Sequence, residues 1–233
     1  MNSLIFVAYL ICFCFLITKI SFLKKSGLCI YWLIGLFLVK VIAGCAYGWF
    51  YSLPANIQTS DTWRYFEISK TETTLLLKNP FAFIKDLFSY DYNSSGNLFI
   101  ANNSYWNDLK DNTIIKILAV INVFSLKNYY ADVIFCNFFF FVGCIAFYRV
   151  VKEKIIASKL VLIAFVFCIP SFLFWCSGIH KDGFIFMALA LLIFYFNEWI
   201  KGKKLLTKPI IVFIVCAFIL FAMRNVILLL LMP

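Results

Sequence analysis

Tyr129-Tyr130-Ala131-Asp132-Val133-Ile134-Phe135-Cys136-Asn137-Phe138-Phe139-Phe140-Phe141-Val142-Gly143-Cys144-Ile145-Ala146-Phe147-Tyr148 holds one charged side chain in twenty residues. A hydrocarbon core about 30 Å thick takes roughly 20 helical residues to cross, so this run is long enough to span a membrane. Working outward, similar apolar blocks place further spans at 28–50 and 3–18 on one side, and at 160–177, 184–199 and 209–230 on the other. Composition agrees, with 64% apolar, 20% aromatic and 14% charged residues, where a soluble domain has roughly 45–50% apolar and about 25% charged. The expectation is an all-α polytopic transmembrane bundle of about six spans, with an outer loop bearing short interfacial helices. It forms a single transmembrane domain over residues 1–233. Leu231-Met232-Pro233 follows the last apolar run with no polar tail, which reads as the N-terminal part of a longer protein.

The first block reads as a span and not as a cleaved signal, because Met1-Asn2-Ser3 carries no basic group and Thr18-Lys19-Ile20 is no small-residue cleavage site. Basic residues then set the orientation. Three short connections are rich in them: Lys19 to Lys25, Arg149 to Lys159 and Lys201 to Lys208. Cytoplasmic loops are enriched in Lys and Arg, and these are the first, third and fifth connections of a six-span chain. The expected arrangement is therefore a multi-pass protein of the cytoplasmic membrane, with the N-terminus and residues 51–128 outside. That outer stretch carries seven acidic and seven basic side chains. The overall charge of +10 thus records topology and attraction to anionic membrane lipid, and gives no reason to expect a nucleic-acid partner.

Nine cysteines lie in or beside the apolar blocks and read as small hydrophobes. No CxxC or Cys/His spacing suggests a metal. Walker, GxGxxG, HExxH and nucleophile-elbow patterns are also missing, which removes support for ATP-driven transport and soluble-type hydrolysis.

Within the outer loop, Ser60-Asp61-Thr62-Trp63-Arg64-Tyr65 reads as a helix start in which Ser60 or Asp61 caps free backbone N–H groups. A second short helix is expected after Asn79-Pro80, since proline suits the first helical position. Phe81, Ile84, Leu87 and Phe88 would share its apolar face while Lys85 and Asp86 face elsewhere, so the helix should lie in the interface. Tyr90 to Asn112 reads as an irregular, aromatic and polar loop, suited to a sugar-binding rim or to lipid headgroups.

The densest chemistry lies in Pro170-Ser171-Phe172-Leu173-Phe174-Trp175-Cys176-Ser177-Gly178-Ile179-His180-Lys181-Asp182-Gly183. Pro170 interrupts the fourth span, and the glycines permit a sharp turn or a close approach. The only histidine stands beside a lysine and an aspartate. The plain reading is a solvated hairpin with Asp182 capping the fifth span. The functional reading is an anion site in which His180 and Lys181 face a phosphate at the membrane surface. Arg224 strengthens the latter, because an unpaired cation in an apolar block costs roughly 2.5–3.5 kcal/mol on insertion scales; snorkelling to headgroups is its plain alternative. Lys40 lies in mid-span with no partner named by the sequence. Asp132 should cap the outer end of the third span.

The Ser60 to Tyr65 segment, the Pro170 to Asp182 segment and an intramembrane Arg224, in that order, resemble bacterial polytopic membrane glycosyltransferases. That group includes GT-C-type transferases that use polyprenyl-phosphate sugars, and polymerases of O-antigen or exopolysaccharide repeats. The likeness covers most of the chain in layout and only short stretches in residues. It implies transfer of sugar from a polyprenyl-(pyro)phosphate donor to a glycan acceptor at the outer face. Asp61 would be the catalytic base, and Lys181 and Arg224, helped by His180, would hold the donor phosphate, with Arg64, Tyr65 and Asp182 in support. Arginine-centred catalysis by Arg224 with Arg64 is the polymerase version. The chain departs from such enzymes in having fewer spans and no second acidic residue beside Asp61, so no metal and no cofactor are expected. A transporter using Lys40, Asp132 and Arg224, or a non-catalytic membrane subunit of a larger assembly, are the competing readings.

Overall fold

In lipid, a backbone amide that finds no internal partner is costly, and a helix satisfies its own. Long runs of Leu, Ile, Phe and Val with few internal breaks therefore fold as helices. The computed structural model of the chain describes residues 3–87, 105–202 and 207–231, and among them the regular elements are all helices. In chain order these are α1 (Ser3–Lys19), α2 (Ser21–Lys24), α3 (Ile30–Phe50), α4 (Thr62–Lys78), α5 (Pro80–Asp86) and α6 (Tyr105–Ser125). Then come α7 (Tyr129–Lys154), α8 (Lys159–Phe167), α9 (Pro170–Trp175), α10 (Lys181–Ile200) and α11 (Thr207–Leu231).

Among the described residues α3, α7 and α10 are long and apolar enough to cross a membrane. The other three expected spans correspond to elements that are shorter or interrupted. α1 is apolar but has 17 residues. The fourth is split into α8 and α9, because Pro170 starts a new helix and Cys168 leaves helical geometry. The sixth is broken at Arg224, where φ −154° and ψ 73° depart from the helix.

α7 is the central helix, with Phe140, Phe141, Cys144 and Ile145 fully buried. Its N-terminal half packs with α4, α6, α10 and α11, and another of its faces packs with α1, α3 and α8. α7 and α10 run parallel. Gly183 lies against Phe140 and Gly143 against Met187, while the Glu153 carboxylate accepts from Asn197, an offset of 43 or 44 residues throughout. The first residue of α10, Lys181, therefore stands beside residue 137 or 138 of α7. Since an α-helix rises 1.5 Å per residue, the turn into α10 is recessed by roughly 12 Å from the start of α7.

One end of the bundle gathers the basic connections. The Arg149 guanidinium lies over the rings of Phe22 and Phe194, Lys152 donates to the Ser26 carbonyl, and Lys201 pairs with Glu153. At the other end Thr62 bonds the Tyr129 hydroxyl at 2.8 Å, and Trp63 stacks on the Tyr129 ring.

Two features of the outer loop differ from expectation. Tyr105 to Asn112 belongs to α6 and not to an irregular loop; its polar first turns hide a helix whose buried face is Leu109, Ile114, Ile115, Leu118 and Ile121. Residues 90–104 of that expected loop, and Phe88, lie outside the described residues. α5 does begin at Pro80, with the Asn79 side chain accepting from the Ala82 N–H. Phe81 and Ile84 are 78% and 62% exposed, and Phe83 is the residue that packs inward.

Candidate functional site

Lys40 explains how the turn between α9 and α10 is held inside the bundle. Only 1% exposed, it donates through Nζ to the Cys176 carbonyl at 2.9 Å and the Ser177 hydroxyl at 3.0 Å. The end of a helix leaves carbonyls without intrahelical donors, and Lys40 serves the end of α9 in that way. Asn137 donates to the Ser177 carbonyl at 2.7 Å. The approach is close enough that a Cβ at Gly44 would stand 2.4 Å from the same carbonyl oxygen. Gly178 in turn lies flat against Tyr47, where a Cβ would meet the ring at 2.2 Å.

The turn then delivers His180 and Asp182. His180 is the N-cap of α10: its Nδ1 accepts from the Asp182 N–H at 3.4 Å and lies 3.3 Å from an Asp182 carboxylate oxygen. One ring nitrogen cannot accept from the amide and donate to the carboxylate at once, so His180 can exchange between the two. Lys181 is half-buried. Asp182 lies within electrostatic reach of Lys181 and of Arg224, and the Arg224 side chain is exposed at the break in α11.

The start of α4 supplies the second half. Arg64 bonds Asp111 at 2.6 Å and reaches Asp61 at 3.2 Å. The Tyr65 hydroxyl donates to Asp111 at 2.7 Å and stands 3.4 Å from Asp61. Asp111 is also 3.4 Å from Lys110. Burial, then the negative charge of Asp111, pushes the Tyr65 phenol far above its ordinary range, so it stays a hydrogen-bond donor. Asp111 thus takes the short bonds, while Asp61 keeps longer ones and a side chain 52% exposed.

Tyr47 joins the halves. Its hydroxyl is 3.1 Å from the Ser60 hydroxyl, its ring is 6.3 Å from that of His180, and both Asp61 and Asp182 act on it electrostatically.

Each residue expected from sequence can now be placed. Asp61, Arg64 and Tyr65 form one cluster; His180 and Asp182 are in contact, and Lys181 and Arg224 lie within electrostatic reach of Asp182. Asp61 makes no capping bond, and the Ser60 hydroxyl accepts from the Thr62 N–H at 3.4 Å instead. Asp132 does not cap α7 either. Asn128 does, accepting from the N–H groups of Tyr130 and Ala131, and Asp132 is fully buried. Tyr47 and Asp111 escaped the sequence reading, since their partners lie far along the chain or beside them in segments with no periodic signal. Among the described residues, no group of three or more His, Cys, Asp or Glu side chains is arranged to hold a metal.

No protein-family model, curated protein or solved structure matches this chain.

Chemically, the arrangement offers two things. A half-exposed carboxylate with spare lone pairs can accept a proton from a hydroxyl. A recessed turn carrying Lys181, with His180 beside it and Arg224 nearby, offers cationic donors to an anion, although Asp182 offsets part of that charge.

Proposed function

We propose that the chain is a membrane glycosyltransferase of the cytoplasmic membrane, moving sugar from a polyprenyl-(pyro)phosphate donor to a glycan acceptor in surface polysaccharide assembly. In this reading the basic end faces the cytoplasm, and the N-terminus, residues 51–128 and the site face outward. The observation that carries it is that Tyr47 stands between the start of α4, reached through the Ser60 hydroxyl at 3.1 Å, and the turn into α10, with the His180 ring 6.3 Å away, at the end opposite the basic connections. The sugar's anomeric carbon loses its phosphate while the acceptor hydroxyl attacks. Cations at Lys181 and Arg224 stabilise the negative charge that builds on the leaving phosphate, and Asp61 removes the acceptor's proton. Asp111 positions Arg64 and Tyr65, and so leaves Asp61 available.

A transporter reading draws on the buried carboxyl of Asp132, but Lys40, which it would also use, is committed to the end of α9. The test is binding of a polyprenyl-phosphate sugar to the purified protein in detergent. Saturable binding that is weakened by Lys181→Ala or Arg224→Ala is expected; no binding, or binding unchanged in both variants, defeats the reading.

A further inference from the structure

The corner where α6 passes into α7 holds a set of buried oxygens that the site above does not use. Asp132 and Ser125 are fully buried and Asn122 nearly so. Both Asp132 carboxyl oxygens, the Ser125 hydroxyl oxygen and the Asn122 amide oxygen lack a hydrogen-bond partner. Ser125 lies next to the Asp132 carboxyl without closing a bond to it, and Asn122 precedes it by one turn on the same face of α6. Part of the nearby donor capacity is already in use. The Asn122 amide N–H donates to Ser69 at 2.7 Å, and the Ser69 hydroxyl donates to the Phe66 carbonyl. If Ser125 turned its single proton to Asp132, most of the acceptor lone pairs would still be open. Buried acceptors are normally paired, and a buried carboxylate without a partner is costly.

We infer that Asp132, Ser125 and Asn122 form a binding site for a small monovalent cation of the sodium class at the α6–α7 corner. Every open atom is an oxygen acceptor, the ligand type that hard cations take. A single carboxylate balances a single positive charge, whereas divalent sites collect more. Of the two helix ends at this corner, the C-terminal end of α6 at Ser125 carries partial negative charge and suits a cation, while the N-terminal end of α7 beside Asp132 carries partial positive charge, so the sign is set by the Asp132 carboxylate. Leu126 and Lys127 then take left-handed conformations, φ 55° and 58°. This tight reversal connects the end of α6 to the first turn of α7, where Asp132 stands. A bound cation would tie α6 to α7 and, through Asn122 and Ser69, to α4, whose N-cap residue is Asp61.

The experiment is thermal unfolding of the full chain in detergent at pH 7.5, with sodium chloride replaced stepwise by choline chloride at constant ionic strength. Binding to the folded state alone stabilises it in a saturable way, so the melting temperature should climb with sodium and level off. Asp132→Asn should fold, since the amide brings its own donor to the open oxygens, and should lose the sodium response. Ser125→Ala should keep the response but raise the half-saturating sodium concentration at least about ten-fold. Equal melting temperatures in sodium and choline overturn the inference, as does an undiminished response in Asp132→Asn. A melting temperature that follows pH but not sodium gives the corner to a proton, and overturns it too.

Discussion

Asp61 and Asp111 show how two carboxylates a short distance apart divide their work. Asp111 accepts the short bonds from Arg64 and Tyr65, and Asp61 keeps an exposed edge. Tyr65→Phe should therefore cost about 0.5–1.5 kcal/mol of stability, read by denaturant or thermal unfolding. It should also change the pH profile. The phenol is raised in the folded state, so folding retains its proton; the stabilisation is intact below about pH 10 and is lost as the pH climbs above that value. The wild type should lose stability faster than Tyr65→Phe in that alkaline window. On the anion side, Lys181→Ala and Arg224→Ala should each weaken polyprenyl-phosphate binding about ten- to a hundred-fold, the equivalent of about 1.5–3 kcal/mol. Arg224→Lys should recover only part, because a point charge does not reproduce the guanidinium fork. His180, Lys181 and Arg224 stand out in the sequence because a polar or charged group inside or beside an apolar block is conspicuous, and Asp61 because it stands at a helix start. Asp111 was not, because a single aspartate in a polar stretch says nothing of an arginine 47 positions earlier.

Elements were legible where their local chemistry agreed with their tertiary role. Asn79-Pro80 marks the start of α5 through a cap and a proline, and the structure uses both. α6 was hidden, since its first turns are polar and its apolar face shows only against α4, α7 and α11. The turn between α9 and α10 shows a different shortfall. Pro170 and Gly178 announce a break, but its depth in the bundle depends on Lys40 and Asn137, which lie in other helices. Gly178→Ala should cost about 1–3 kcal/mol by forcing the Tyr47 ring aside. Lys40→Met keeps the length of the side chain and removes its donors. With the Cys176 carbonyl and Ser177 hydroxyl left bare, it should cost about 1–3 kcal/mol. Both variants should show lowered melting temperatures in detergent, and a melting temperature unchanged by either would mean the turn is held by other contacts.

At the scale of the molecule, the lysine pattern and the bundle agree that the basic connections share one end, through Ser26, Lys152, Glu153 and Lys201. The number of crossings was less legible, because Pro170 announces the break in the fourth span while nothing in the hydropathy marks the one at Arg224. Single cysteines at Lys24, Lys152 and Lys203, placed in a background lacking the nine native ones, should resist a membrane-impermeant thiol reagent in intact cells; those at Asp61, Asn103 and Lys181 should react. Asn103 and Lys203 lie outside the described residues, so for them the labelling rests on the lysine pattern alone. The central claim is that the end opposite the basic connections carries out sugar transfer, and it is tested most directly by following labelled sugar from a polyprenyl-phosphate donor into glycan in membranes containing the protein. Wild-type membranes should form product, and Asp61→Asn, at equal expression and equal melting temperature, should form at least about a hundred-fold less, as expected when a general base is removed. Undiminished product from Asp61→Asn, or no transfer by the wild type alongside substrate-driven ion flux, would contradict it.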